Sequence, residues 1–254
     1  MNSLFVIPLI FVMFKVSAQE PSYHREEAID QRSNTTMENL NYNSYQDSPD
    51  LLSAGEMACL LTSVGVPKGH ADKMGVALYD AVRKMHFPSA TFNRISLMHF
   101  LTQVTEESAG CRIRKQGREP GKPPPPPEKT GWGCIQVTGS DNLKMVAQCM
   151  NSVDPPSGNN VVSNPSGTIG DKGTLYKSAL ASFCWWGENF VYNTKRGKIS
   201  TQDSVEDAYL VHKIVNTGDI EGKKVTGGKA SLKARAGVFS RMKNAEKRCR
   251  GTIV

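Results

Sequence analysis

Residues 97–110 read LMHFLTQVTEESAG and join a helical repeat of apolar side chains to two adjacent acids. The apolar side chains that recur at intervals of three and four are Leu97, Phe100, Leu101 and Val104. This spacing predicts an amphipathic helix that begins near Ser89 or Asn93 and ends at about Glu107. Such a helix buries one stripe, so its apolar face is expected to pack on a core.

The two acids at the end of this helix are predicted to have different surroundings. Glu107 falls on the apolar stripe, whereas Glu106 is turned about 100° away from it. The other residues on the side of Glu106 are His99, Thr102 and Gln103. Partial desolvation of Glu107 favours the protonated carboxylic acid, which is the form that a general acid needs. The alternative is an inward glutamate that pairs with an arginine for structural reasons.

Arg235 is the basic residue that is predicted to point inward. It belongs to a helical stripe made up of Leu232, Arg235, Phe239 and Met242. An ion pair between Arg235 and Glu107 would favour the ionised carboxylate, against the effect of desolvation. The sequence leaves this balance open, and Arg235 is also a candidate substrate-binding residue.

Helical spacing recurs along the chain beyond residue 50. The predicted helices lie around 59–64 and at 74–85, 175–186, 205–215 and 229–247. Loops are predicted at 117–130, which contains the prolines 123–127, and at 151–173. Only residues 134–138 alternate as a strand does. The fold class is therefore predicted to be mostly α, in a single domain of about 200 residues.

The first 50 residues differ from the rest in composition. Residues 4–14 form an apolar run too short for a membrane span of about 20 residues, and the small residues up to Ala18 are typical of a cleavage site. The alternative is a buried core helix. The predicted organisation is a signal peptide at 1–18, a disordered polar leader at 19–50 and one domain at 51–254, which implies a secreted protein without a membrane span.

Charge divides the chain into an acidic leader and a basic body. Residues 20–50 hold seven acids and two bases, which is a net charge of −5, and Lys15 adds +1 before them. Because the whole chain has a net charge of +7, residues 51–254 carry +11. The basic tail Lys223–Arg250 is interpreted as a solvated helix face rather than a nucleic-acid site. A basic surface would concentrate a secreted protein on anionic cell walls.

The cysteines and the missing motifs exclude several kinds of site. None of the six cysteines forms a C-x-x-C pair, which excludes zinc-ribbon and thioredoxin-like proteins. In an oxidising compartment up to three disulfides are expected, with the pairing open; the alternative is buried free thiols. The sequence also lacks H-E-x-x-H, G-x-S-x-G and P-loop motifs. No metal or cofactor is predicted.

Four segments, in order, carry a likeness to a known family. They are Phe100–Gly110, the stretch Gly131–Gly139 (GWGCIQVTG) with the Asn142 that follows, the aromatic stretch Ala181–Trp186, and Ile214–Gly218 (IVNTG). Together they resemble family 19 glycoside hydrolases, the chitinase and phage-endolysin group. The likeness spans residues 90–240, and Gly131–Gly139 is its most specific segment.

The resemblance implies a fold and a reaction. The implied fold is a lysozyme-like helical domain, and the implied reaction is hydrolysis of β-1,4-linked N-acetylglucosamine polymers, with Glu107 as general acid. The implied contacts to sugar or water are Gln136, Thr138, Asn142 and Asn216. The expected partner is a polysaccharide, either chitin or peptidoglycan, and the protein is expected to be a monomer.

An inverting glycosidase also needs a second carboxylate that activates water. In the family this carboxylate lies about nine or more residues after the general acid. Nine residues after Glu107 the chain has Gln116, which cannot act as a base. Glu119 is therefore the provisional base, and Glu128 is the alternative. The chain departs from the family pattern at Glu106 (His in the family), Trp132 (Arg) and Leu143 (Tyr). If neither glutamate reaches the cleft, the protein binds chitin or peptidoglycan without cleaving it. A third hypothesis is a basic antimicrobial protein that binds cell walls.

Overall fold

The computed structural model describes residues 51–116, 125–126, 129–217 and 229–252, with the backbone alone at 217 and 229–235. The predicted signal peptide and leader lie outside these residues, as do most of the proline run and both candidate bases, Glu119 and Glu128.

The described chain is mostly helical. Its helices are α1 Ala54–Ser63, α2 Lys68–Met85, α3 Arg94–Ser108, α4 Ser140–Val153, α5 Pro165–Thr168, α6 Leu175–Trp186, α7 Thr194–Ser200, α8 Val205–Thr217 and α9 Lys229–Cys249, and a π-helical turn, Gly187–Val191, extends α6. Helices make up 65% of the described residues and none of these residues forms a strand, so the predicted fold class is confirmed. This architecture is consistent with a single lysozyme-like helical domain.

Local sequence determines both ends of α3. The side-chain carbonyl of Asn93 accepts a hydrogen bond from the Ser96 N–H at 3.0 Å, as N-caps do. Of the two predicted starting points, the one at Asn93 is therefore confirmed. The helix ends at Ser108, because Ala109 and Gly110 adopt left-handed backbone angles, with φ of 51° and 70°.

The structure differs from the sequence predictions in several segments. Helical spacing in the sequence predicts neither α4 nor the short helices α5 and α7. The buried side chains of α4 are only Leu143, Val146 and Met150. Residues 134–138 form no strand but a tight turn, closed by two backbone hydrogen bonds of 3.0 and 2.8 Å between Trp132 and Val137. Left-handed backbone angles at Gly133 and Gln136, with φ of 75° and 56°, reverse the chain inside this turn.

Helix α3 runs through the core and is buried on almost every side. Each residue from Ser96 to Val104 is buried, including the polar His99 and Gln103, which are both 0% exposed. The prediction of a single buried stripe is therefore wrong. The reason is that a second face of α3 packs on α8 and α9, where the His99 ring stacks on Phe239 at 4.2 Å.

The predicted apolar face of α3 packs on α6. The Phe100 ring stacks on Phe183 with centroids 4.2 Å apart and meets the edge of Trp186 at 5.4 Å. Trp186 in turn stacks on Phe190 of the π-helical turn at 4.1 Å. These fully buried rings form the centre of the hydrophobic core.

All six cysteines are paired. The disulfides are Cys59–Cys249, Cys111–Cys134 and Cys149–Cys184. The expectation of three disulfides is confirmed, and the alternative of free thiols is excluded. Within the described ranges no helix is both long and apolar enough to cross a membrane.

Candidate functional site

The candidate acid lies in the last turn of α3. Glu107 is partly buried, as its place on the apolar stripe predicts, but Glu106 is partly buried as well. The two carboxylates therefore differ less in exposure than the helical period alone suggests. The distinction between them has to come from what each side chain faces.

Ser108 connects the end of α3 to the turn 131–138 by a hydrogen bond. Its hydroxyl lies 2.6 Å from the Cys134 carbonyl oxygen and 2.8 Å from that of Val104, and it accepts a hydrogen bond of 2.9 Å from the Cys111 N–H. The Cys111–Cys134 disulfide reinforces the same junction. The residue that follows Glu107 is thus held against the segment that carries the most specific part of the resemblance.

Gln136 is held inside this turn by its own side chain. Its Nε2 donates hydrogen bonds to the carbonyl oxygens of Ile113 at 2.9 Å and Gly133 at 3.0 Å. Both amide protons are used in this way. A ligand would therefore meet Gln136 through Oε1, unless one of these hydrogen bonds opens.

Trp132 has a structural role in the same turn. It is only 4% exposed, and the Lys115 ammonium lies 5.4 Å from the centre of its ring. The guanidinium of Arg114, the preceding residue, donates to the carbonyl oxygens of Gly173 at 2.6 Å and Asp171 at 3.0 Å. Burial lowers the pKa of Arg114 from its ordinary value. Arg114 thus holds the loop that precedes α6 against residues 114–116, and these residues are hydrogen-bonded to the start of the turn 131–138.

Thr138 and Asn142 are exposed at the start of α4. The Asn142 Nδ2 donates a hydrogen bond of 2.8 Å to the Thr138 carbonyl oxygen. These two predicted contact residues thus form one exposed polar pair that follows the turn.

Asn216 belongs to a polar cluster between α3 and α8. The Gln103 Oε1 lies 3.1 Å from the Nδ1 of His212, which is 3% exposed. The Asn216 Nδ2 donates to the His212 carbonyl oxygen at 2.9 Å and lies 3.0 Å from both ring nitrogens of His212. Asn216 itself is exposed, so this cluster connects the core to the surface.

The order of contacts shows the direction in which α8 crosses α3. The His99 Nε2 lies 2.9 Å from the carbonyl oxygen of Gln202, before α8, and Gln103 contacts His212 within α8. Both segments advance in the same sense along this contact. Asn216 lies one helical turn beyond His212 in α8, and Glu107 lies one turn beyond Gln103 in α3.

Other predicted site residues lie outside what the structure describes. Glu119 and Glu128 are among them, and so is the side chain of Arg235, whose backbone belongs to α9. The predicted inward stripe of α9 is confirmed at Phe239 and Met242, which are 1% and 0% exposed. No group of three or more His, Cys, Asp or Glu side chains suited to a metal ion occurs among the described residues.

Sequence reasoning missed the roles of Gln103 and His212. Helical periodicity predicts Gln103 on the side of α3 away from its apolar stripe, and it predicts no role for His212. The available clue is that His99 and Gln103 are four residues apart, which places two polar side chains one turn apart on the same side of the helix.

A cavity of about 320 Å³ lies elsewhere in the molecule, between α1, α2 and α9. It borders the Cys59–Cys249 disulfide, and none of the predicted site residues lines it. The presence of this cavity therefore does not identify the candidate active site.

Comparisons of the chain with models of known families, with curated proteins and with solved structures found no match.

Proposed function

We propose that the protein is a secreted glycoside hydrolase that cleaves β-1,4-linked N-acetylglucosamine polymers, with Glu107 as general acid. The observation that supports this most is the junction at Ser108. It joins the end of the core helix that carries the partly buried Glu107 to the turn 131–138, so the most specific segment of the resemblance lies beside the segment that carries the candidate acid. Three disulfides are compatible with an extracellular protein.

In the proposed reaction, the protonated Glu107 carboxyl donates its proton to the glycosidic oxygen as the bond to the sugar C1 breaks. A second carboxylate takes a proton from water, which attacks C1 from the opposite face and inverts its configuration. The two carboxyl groups of an inverting enzyme are about 6.5–9.5 Å apart, which leaves room for that water. Glu119 is the provisional base and Glu128 the alternative.

The proposed contact residues carry neutral groups that suit an acetamido sugar. Thr138, Asn142 and Asn216 are exposed and carry hydroxyl or amide groups that can bind sugar hydroxyls and acetamido groups without exchanging protons with the acid. The positive charge of residues 51–254 favours peptidoglycan with anionic polymers over neutral chitin, because charge attracts the protein to such a wall.

The test compares Glu107→Gln with Glu106→Gln, a neighbouring, partly buried glutamate that changes by the same charge. Loss of turbidity of bacterial walls and release of chitin oligomers are measured for both variants. We expect Glu107→Gln to lose about 10²–10⁴-fold in rate, the usual contribution of a general acid, and Glu106→Gln to stay close to wild type. Activity that persists in Glu107→Gln would rule out the acid assignment.

The variants Glu119→Gln and Glu128→Gln then separate the two candidate bases. The true base is the one whose loss abolishes turnover while binding of the polymer remains.

A second candidate is a chitin- or peptidoglycan-binding protein without hydrolytic activity. Two features favour it: the Gln136 amide protons are engaged by backbone carbonyls, and Trp132 is buried. Both positions of the motif thus serve the structure of the turn. Co-sedimentation of wild-type protein with insoluble polymer, without any release of oligomers, would select this function.

A further inference from the structure

Two buried polar atoms on α3 have no hydrogen-bond partner in the described structure. They are the Nδ1 of His99 and the Nε2 of Gln103, and both residues are 0% exposed. The two residues are one helical turn apart on the same line of the helix, where side chains face each other. Buried polar atoms are costly to leave unsatisfied, so a shared partner is expected.

The hydrogen-bonding roles of these two atoms are complementary. The His99 Nε2 lies 2.9 Å from the Gln202 carbonyl oxygen, which can only accept, so Nε2 carries the proton. Burial lowers the pKa of His99 to about 4, which keeps the ring neutral and makes Nδ1 an acceptor. The Gln103 Oε1 faces the His212 Nδ1 at 3.1 Å, which turns the NH₂ donor group away from His212.

We propose that an internal water molecule bridges the His99 Nδ1 and the Gln103 side-chain amide, and that Gln103, held by this water, is a positioning residue that orients His212 and through it Asn216. The role at the candidate site rests on the proposed function, whereas the water and the orientation of His212 do not.

The helical spacing of this pair is one that a water molecule can bridge. Side chains one turn apart have Cβ atoms about 5–6 Å apart, a span that one water with two hydrogen bonds can bridge. The water donates to the His99 Nδ1 and accepts from the Gln103 NH₂.

The bridge explains how a core glutamine can act on a surface residue. His99 is fixed by Gln202 and by stacking on Phe239, so it provides a rigid end for the bridge. The water limits rotation of the Gln103 amide, which selects one ring orientation and tautomer of His212. The Asn216 amide, 3.0 Å from both ring nitrogens, then has one preferred direction.

The test uses nuclear magnetic resonance on the full-length protein, with variants His99→Phe and Gln103→Met. In wild type we expect cross-relaxation between the Gln103 side-chain amide protons and a bound water, and a single His212 tautomer in long-range ¹⁵N–¹H spectra. Both variants should remove the water signal and shift the ring nitrogens of His212. His99→Phe alone is decisive if Gln103→Met fails to fold, because His99 has no direct hydrogen bond to His212 among the described contacts.

The matched control is Thr102→Val, which alters a polar residue of α3 that is 1% exposed and whose hydroxyl contacts the Met98 carbonyl oxygen at 2.9 Å and the Met242 Sδ at 3.7 Å. It should leave the His212 signals unchanged. A dry site in wild type, or His212 signals that do not respond to His99→Phe, would overturn the proposal.

Binding of an N-acetylglucosamine oligomer tests the link to the site. We expect both positioning variants to raise its Kd about tenfold, which corresponds to about 1.4 kcal/mol, and Thr102→Val to leave it unchanged. If wild type binds no oligomer while the water and tautomer results hold, the proposed function fails and the positioning of His212 stands.

Discussion

At the scale of single residues, Arg94 joins three helices through two glutamates. Its Nε donates to the Glu246 Oε1 at 2.7 Å, and its Nη2 donates to the Glu56 Oε1 at 3.2 Å. The side chains are only 11–18% exposed, so this is a largely buried cluster. Glu56 also closes the capping box of α1, with its Oε2 2.7 Å from the Ser53 N–H. The start of α1, the start of α3 and the end of α9 therefore depend on one guanidinium.

This cluster makes stability dependent on pH. Burial alone would raise the pKa of both Glu56 and Glu246. The hydrogen bonds and the positive charge of Arg94 lower the pKa of both carboxyl groups, and the Ser53 N–H lowers that of Glu56 further. The lowering effects are the stronger ones, so both pKa values lie below the ordinary value. Because the folded pKa is the lower one, the stabilisation is fully present above the unfolded value of about 4.3 and is lost as pH falls through the folded values.

We predict that Arg94→Met lowers the free energy of unfolding at pH 7 by about 3 kcal/mol, because it leaves the largely buried Glu56 without its cation and Glu246 with only Lys243 and Arg250. The variant should also lose less additional stability than wild type when the pH falls below about 4. Urea denaturation at pH 7 and pH 3.5 measures both effects. The matched control is Lys68→Met, which breaks the exposed Lys68–Asp72 pair and should cost about 0.5 kcal/mol or less. An equal cost for the two variants would contradict the role of Arg94.

At the scale of elements, α1 and α2 pack at a distance that only glycine permits. A Cβ at Gly75 would lie 2.3 Å from the Ala54 carbonyl oxygen and 3.0 Å from the Ala58 Cβ. The small residues Gly75 of α2 and Ala54 and Ala58 of α1 thus allow the backbones of the two helices to approach closely. This contact sets the position of α1 and, through Glu56 and Arg94, of the start of α3.

Gly75→Ala is expected to destabilise the protein by about 2 kcal/mol, because the backbone of α1 has to move to admit the methyl group. Gly69→Ala, in the first turn of the same helix, is the matched control. A Cβ there meets nothing within 4 Å, so this change should stabilise by about 0.5 kcal/mol through helix propensity. Thermal unfolding of the two variants should therefore shift in opposite directions, and shifts of the same sign would refute the close-packing argument.

At the scale of the whole molecule, the Cys59–Cys249 disulfide joins α1 to the end of α9 across a sequence separation of 190 residues. The other two disulfides close much shorter loops, with separations of 23 and 35. A crosslink that closes a longer loop restricts the unfolded chain more. The long disulfide is therefore expected to contribute most to global stability, and Cys111–Cys134 to act mainly on the local geometry beside Glu107.

Replacing Cys59 and Cys249 together with serine should lower the free energy of unfolding by about 5 kcal/mol, against about 4 kcal/mol for Cys149 and Cys184. Guanidinium denaturation of the two double variants measures the difference. A larger loss in the Cys149/Cys184 variant would mean that packing around the sulfurs, rather than chain entropy, dominates.

The sequence by itself determined the helical class and most helix positions. The bounds predicted for α6 match the structure at Leu175 and Trp186, and α9 begins at Lys229 as predicted, because periodicity, caps and breakers act within a few residues of chain. An even number of cysteines also predicted full pairing, but not the partners. The roles of Glu107, Glu119 and the sugar-contacting residues stay predictions.

Only the tertiary structure decided which polar groups are buried together. Helical periodicity assigns His99 and Gln103 to the side of α3 away from its apolar stripe, yet both are buried because α8 and α9 cover that side. The turn 131–138 depends in the same way on Ser108 and on a disulfide partner 23 residues away. A local pattern records which face of a helix can be buried, whereas contacts between distant segments determine which face is buried.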